Sequence, residues 1–230
     1  MTPTPTIAID SVEHWNDTFA RQHDIDDYYS RSGLLIRWIE QQRLACIRSM
    51  VAAKPSDRIL EVGCGGGHVL RQFPESDLTG VDVSGEMLAK ARRNLQGYRA
   101  YLLKGELQEL DLPDAGFDKV ICTEVLEHAV DPEAILAQIK CLVRTEGRLV
   151  ITFPNDPLVN RLKGFIRSSG LTILPPFRRI SWGGDQYHLH VWRVGEMRAL
   201  LSRYFAILRE RFIPSRLLPI RCCFQCASRA

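Results

Sequence analysis

Between Leu35 and Met50, apolar residues recur three and four positions apart, at Leu35, Trp38, Ile39, Cys46, Ile47 and Met50. That is the stripe of a helix that buries one side. Lys54-Pro55 stops it, because the residue before a proline is pushed out of helical geometry. Upstream, Asp10 and Glu13 are spaced as a capping box and predict an earlier helix carrying Trp15 and Phe19, after a start rich in Pro and Thr. From Arg58 the pattern changes to short apolar runs separated by helical stretches. "RILEVG" (58–63), "DLTGVDVS" (77–84), "YRAYLLKG" (98–105), "FDKVICTE" (117–124) and "GRLVITF" (147–153) read as strands. Gly85 to Leu95 reads as a helix, and a further helix begins near Pro132, a residue favoured at the first helical position. "VGEMRALLSRYF" (194–205) resumes a helix, and "FAILRERFI" (205–213) and "PIRCCFQCAS" (219–228) close the pattern as an antiparallel pair. This alternation predicts an α/β fold: a doubly wound, mostly parallel seven-stranded sheet with helices on both faces. Such a sheet binds its ligand beyond the carboxyl ends of its strands, at the switch point.

Residues 1–54 are expected to form an N-terminal helical cap and 55–230 one domain with an insertion at about 155–184. The stretch "NDPLVNRLKGFIRSSGLTILPPFRRISWGGD", with its prolines, glycines and basic residues, suits an excursion from the sheet. In it Leu158, Leu162, Phe165 and Ile166 can share a helix face beside Arg161, Lys163 and Arg167.

With 45% hydrophobic and 25% charged residues, the 230-residue chain has the make-up of an ordinary globular protein. No run reaches the ~18 apolar residues of a membrane span. The start lacks the basic and apolar regions of a signal peptide, so a cytoplasmic protein is expected. Seven cysteines without framework spacing fit a reducing compartment. As a zinc site "CCFQC" lacks a second ligand pair; as a strand it puts Cys222, Phe224 and Cys226 on one face. Charge is uneven. From Asp156 onward thirteen Lys and Arg face four Asp and Glu, against seventeen and twenty-three before it. The second half therefore presents either an anion-seeking surface or a merely solvated basic one.

The chemistry concentrates at "ILEVGCGGGHVL" (59–70). Glycines at 63, 65 and 67 after a first strand let the backbone turn tightly and approach a ligand, and Gly67 is expected to ease entry to a following helix. Glu61 stands at that strand's carboxyl end, where its carboxylate can meet an ammonium group. Asp82 ends the next strand, where its two oxygens can accept both hydroxyls of a ribose. The ligand implied is an adenosine carrying a cationic group. A dinucleotide site would want one more glycine at position 68, which is His68.

"LEVGCGGG", "GVDVSGEML" and "FDKVICTEVLEH", in this order, resemble the class I S-adenosylmethionine-dependent methyltransferases, and within them the small-molecule branch that includes the ubiquinone-biosynthesis O-methyltransferases. The resemblance covers roughly residues 55 to 155. It implies S-adenosyl-L-methionine as cofactor, with Gly63, Cys64 and Gly65 against the methionine part and Asp82 on the ribose. It places Val83 and Met87 beside the adenine, and the Thr123 carbonyl toward the methionine amino group. Glu106, followed by Leu107, stands where the family usually has an aspartate for the adenine amino group.

If "EVLEH" opens a helix, Glu124, Glu127 and His128 share a face near the methyl donor. Three readings stay open. His128 can be the general base for a substrate hydroxyl. The three can hold a divalent metal, as the resemblance implies from some ubiquinone-pathway members. Or they structure the loop and cap its helix. Methyl transfer otherwise asks mainly for an aligned acceptor and a dry site.

The acceptor is expected to be a small molecule, through an oxygen. The Asn/Asp-Pro-Pro-aromatic turn of base-amino methylases is missing from "TEVLEH", and no stacking aromatics interleave with the basic residues, which argues against nucleic acid. Residues 158–182 read either as a lid packed on the domain or as one that also rests on an anionic membrane, which the resemblance supports. His188 and His190, alternating in "YHLHVW", line the pocket or pack. Two other functions compete: a nicotinamide-dependent oxidoreductase, opposed by His68 and Glu61, and a catalytically silent cofactor-binding partner protein.

Overall fold

The computed structural model describes residues 33–170 and 188–229; the expected helix around Trp15 and Phe19 and the second half of the insertion lie outside them. Seven strands form one sheet: β1 (Arg58–Val62), β2 (Asp77–Asp82), β3 (Ala100–Lys104), β4 (Phe117–Thr123), β5 (Val143–Pro154), β6 (Phe205–Pro214) and β7 (Pro219–Ser228). Their order is β3-β2-β1-β4-β5-β7-β6. The first five run parallel, and β7 lies antiparallel between β5 and β6. The helices are α1 (Leu34–Val51), α2 (Gly85–Asn94), α3 (Pro132–Leu142), α4 (Asp156–Ser168) and α5 (Val194–Tyr204). The expected α/β class and the closing antiparallel strand are both present.

Alternation along the strands sorts side chains onto two faces. One face joins Leu60, Val62, Val120, Cys122, Leu149, Ile151, Cys222, Phe224 and Cys226 to α3 and α5, through Leu136, Ile139, Met197 and Leu201. The other joins Ile59, Leu78, Ile121, Val150 and Cys223 to α1 and α2, through Ile47, Met50, Val51, Leu88 and Ala91. The adjacent thiols of Cys222 and Cys223 thus point to opposite cores. Helix α1 packs directly on this second face, while Leu35 and Trp38, at its amino end, stay exposed.

Local caps set the helix starts. The Ser84 hydroxyl accepts from the Met87 N–H at 3.2 Å to open α2, and the Asp131 carboxylate accepts from the Ala134 N–H at 3.0 Å to open α3 with Pro132 in its first turn. One expectation fails here. The glycine loop leads not into an α-helix but into a single 3₁₀ turn, Leu70–Gln72, because only nine residues separate Gly67 from β2 and Pro74 cuts the stretch short.

Phe224 is fully buried and stacks on Phe153 with ring centroids 5.6 Å apart, bridging β7 and β5. Phe224→Ala is expected to cost about 3–5 kcal/mol of folding stability, seen as a lowered urea midpoint. A cost under about 1 kcal/mol would show that the β5–β7 seam does not hold the sheet together.

Candidate functional site

The sheet reverses its winding between β1 and β4, and the site residues gather at the carboxyl ends of these two strands and of β2. The loop after β1 has Gly63, Gly65 and Gly67 at φ of 67°, 49° and 77°, backbone that only glycine adopts without strain. At Gly63 a Cβ would also run into the Val125 side chain. The Cys64 N–H donates to the Val81 carbonyl at 2.9 Å, and the Gly65 N–H donates to Asp82 Oδ2 at 2.7 Å. Asp82 Oδ1 accepts from the Ser84 N–H at 2.9 Å, so one carboxylate latches the loop to the start of α2. Each oxygen retains lone-pair capacity for a hydroxyl donor.

Glu61 is the electrostatic centre. It is 1% exposed, its Oε1 accepts from the Thr123 hydroxyl at 3.4 Å, and its Oε2 has no hydrogen-bond partner. Burial pushes its carboxyl up to about 8, against the opposing pull of the Arg43 guanidinium. The thiol of buried Cys64 is raised by its own burial and by the charges of Asp82 and Glu61. Thr123 is the last residue of β4. Met87 and Leu107 are buried, and Val83 and Glu106 are half-buried at the ends of β2 and β3.

After β4 the chain departs from expectation. Glu124 to His128 form a turn, closed by the His128 N–H donating to the Val125 carbonyl at 2.9 Å, and no helix begins before Pro132. Glu124, at φ 56°, leaves the row: one oxygen lies 2.9 Å from an Arg221 guanidinium nitrogen, and the other accepts from the Thr152 hydroxyl at 3.1 Å. The trio Glu124, Glu127 and His128 therefore does not fit a single metal ion. Glu127 is 1% exposed with neither carboxyl oxygen hydrogen-bonded, and burial together with the Glu124 charge drives its carboxyl well above the usual range. His188 joins the turn instead. Its ring packs edge-on against His128 at 4.8 Å, and its Nδ1 lies 2.8 Å from Asp156 Oδ2 in the first turn of α4. The His190 N–H donates to the Glu127 carbonyl at 3.0 Å, and His190 Nε2 lies 3.0 Å from the Ala129 carbonyl.

Sequence reasoning missed Asp156 and Arg221 altogether. A signal existed for Asp156, an acidic residue two positions past the end of the fifth strand; nothing local points to Arg221.

A glycine loop at this switch point, a carboxylate ending β2 and a buried acid on β1 are set in a sheet of the class I S-adenosylmethionine-dependent methyltransferase type. Residues 60–151 match the family model described as a methyltransferase domain. The ubiquinone biosynthesis O-methyltransferase of Bordetella avium is 32% identical over 114 residues, 47% of this chain and 47% of that protein. Its namesake from Photobacterium profundum is 24% identical over 84% of this chain and 80% of its own length. The chain spans less than half the length of three curated relatives matched at 32–36% identity. In fold it is similar to magnesium protoporphyrin IX methyltransferase from Synechocystis PCC 6803, solved with bound SAH, at a TM-score of 0.68 and 17% identity over 95% of this chain and 100% of that one.

The raised Glu61 carboxyl has a consequence for stability. The unfolded chain ionises it near 4.5, whereas the fold keeps it protonated to about 8. Its contribution to stability is therefore full below the unfolded value and is lost as pH rises toward the folded one. Glu61→Gln, neutral throughout, is expected to flatten the fall in urea midpoint between about pH 6 and about pH 8.5. An unchanged slope in the variant would assign that fall to other groups.

Proposed function

We propose that this chain transfers the methyl group of S-adenosylmethionine to a small-molecule acceptor, at a hydroxyl oxygen. The observation that carries the reading is the buried Glu61 carboxyl, one oxygen unpartnered, beside a glycine loop latched by Asp82. That pairing suits a ligand with an ammonium group at one end and a ribose at the other. A dinucleotide fits worse, because the loop leads into a 3₁₀ turn and offers no α-helix N-terminus to a pyrophosphate.

When bound, the sulfonium supplies an already activated methyl group with a neutral thioether as leaving group. Glu61 meets the ammonium end, together with the Thr123 carbonyl. Asp82 accepts the ribose hydroxyls without releasing Gly65 or Ser84. Val83, Met87, Glu106 and Leu107 enclose the adenine end, and the Gly63–Cys64–Gly65 backbone flanks the middle. His128 receives the proton that the acceptor hydroxyl gives up as its oxygen bonds to the methyl carbon. The names of the ubiquinone-pathway relatives favour an oxygen acceptor. Helix α4, with Phe165 66% exposed among Arg161, Lys163 and Arg167, favours an acceptor that is apolar or anionic and is reached at a membrane surface. Among the described residues no helix is long and apolar enough to cross a membrane.

Calorimetry tests the cofactor. S-adenosylhomocysteine is expected to bind and NAD not to; the reverse would end the methyltransferase reading. An ammonium placed against Glu61 ionises it, so binding near pH 7 should release a proton and give a buffer-dependent enthalpy, absent in Glu61→Gln.

His128→Ala is expected to lower kcat by about 10²–10⁴ with an acidic phenol or catechol acceptor, while the Kd for the product nucleoside stays within about twofold. Loss of nucleoside binding in this variant would place His128 in the cofactor site instead.

A further inference from the structure

We propose that Glu127, His128 and His188 bind one divalent transition-metal ion, a ligand set that replaces the Glu124, Glu127 and His128 trio implied by the resemblance. One ligand atom from each residue lies within 4.8 Å of the others. Around an ion with ligands at about 2.1 Å, neighbouring ligand atoms sit about 3.4 Å apart, so side-chain rotations on the order of 1 Å close the set.

Glu127 carries the argument. A buried carboxyl with neither oxygen hydrogen-bonded is among the costliest groups a core can hold, and a cation compensates it directly. Asp156 supplies the second observation. Its carboxylate, 2.8 Å from His188 Nδ1 with both side chains under 10% exposed, selects the Nδ1–H tautomer and makes Nε2 the basic nitrogen. A carboxylate behind a ligating histidine is the usual outer support of a metal site. Glu124 is excluded by its own bonds to Arg221 and Thr152. The two segments are also clasped together before any ion arrives, since His190 bonds the Glu127 and Ala129 carbonyls.

Two imidazoles and one carboxylate suit zinc, iron(II), cobalt(II) or manganese(II) rather than magnesium or calcium, which prefer all-oxygen sets. With three protein ligands, positions stay open for an acceptor oxygen. On the methyl-transfer reading, on which only this consequence rests, the ion would lower the pKa of a bound hydroxyl, whose proton would leave to solvent water before the oxygen bonds to the methyl carbon, with His128 then serving as ligand. In the ion-free chain His128 receives the proton itself.

The test uses the full chain, stripped with a chelator and reloaded with Co²⁺ or Zn²⁺. Bound metal is counted by elemental analysis after gel filtration, and the Co²⁺ visible spectrum is recorded. About one ion per chain is expected, with absorption bands showing histidine nitrogen ligation. Glu124→Gln should retain it, His188→Ala and Glu127→Gln should weaken it at least about tenfold, and Asp156→Asn by about 10- to 100-fold. Failure of the native chain to retain an ion overturns the inference. So does loss in Glu124→Gln with retention in His188→Ala, which restores the trio. Far-UV spectra and urea midpoints check folding; Glu127→Gln keeps the side chain's shape and decides the matter if His188→Ala does not fold. S-adenosylhomocysteine binding is measured in the same samples. Nucleoside bound without metal sinks the metal site alone, and metal bound without nucleoside sinks the methyltransferase reading alone.

Discussion

The N–H groups of Gly65 and Ser84 point at the same carboxylate, that of Asp82, from 2.7 and 2.9 Å. The first belongs to a loop whose left-handed conformation favours glycine, the second to the cap of α2. A carboxylate accepting two backbone N–H bonds is both strongly held and strongly holding. Through it the end of β2 determines where the β1 loop runs and where α2 starts. Each later feature of the cofactor side follows from that fixed point. The loop's path leaves Glu61 beneath it, and the Ser84 cap places Met87 in the first turn of α2. One residue thus organises the protein's own backbone at the end of β2.

Around this anchor the protein buries acids that it does not fully pair. Glu61 and Glu127 both act on Cys122, whose thiol is raised by its own burial and by their charges. In a domain held together by apolar contacts on both faces of the sheet, such groups reduce stability and persist where a ligand's charge completes them. The two acids differ in kind. Glu61 has the Thr123 hydroxyl and the field of Arg43 to moderate it. Glu127 has neighbouring histidines and the field of Arg221, but no hydrogen bond to either carboxyl oxygen. The first environment suits a soft ammonium, the second a compact cation.

Most of the sheet, and the placing of Glu61, the glycine loop and Asp82 at its strand ends, were legible in the sequence, because their signals are local. Apolar runs mark β1 to β5, and Asp82 is placed by the strand it ends. Alternation put Cys222, Phe224 and Cys226 on one face, where all three are fully buried. The misreadings have a common cause. A helix after Gly67 follows from the strand–helix rhythm, yet the spacing to β2 is too short for one. A helix through Glu124 to His128 follows from their spacing, yet Glu124 is pulled into a left-handed conformation by Arg221, 97 positions away. Spacing encodes a face only where the helix exists, and a long-range ion pair can remove it.

That ion pair explains why the turn after β4 has the shape it does. Arg221 sits near the start of β7, next to β5 in the sheet, and reaches Glu40 on α1 at 3.9 Å as well as Glu124 at 2.9 Å. The antiparallel hairpin that closes the sheet therefore holds the site from behind, while His188 and Asp156 close it from the side of the insertion. If Glu124 were released to swing toward Glu127, two carboxylates would share one buried space and the repulsion that already raises Glu127 would grow. Pairing Glu124 with Arg221 offsets one negative charge of the cluster and leaves Glu127 beside two imidazoles, with Asp156 held behind His188. The closing strands thus contribute chemistry as well as an edge: they decide which acid stays in the site.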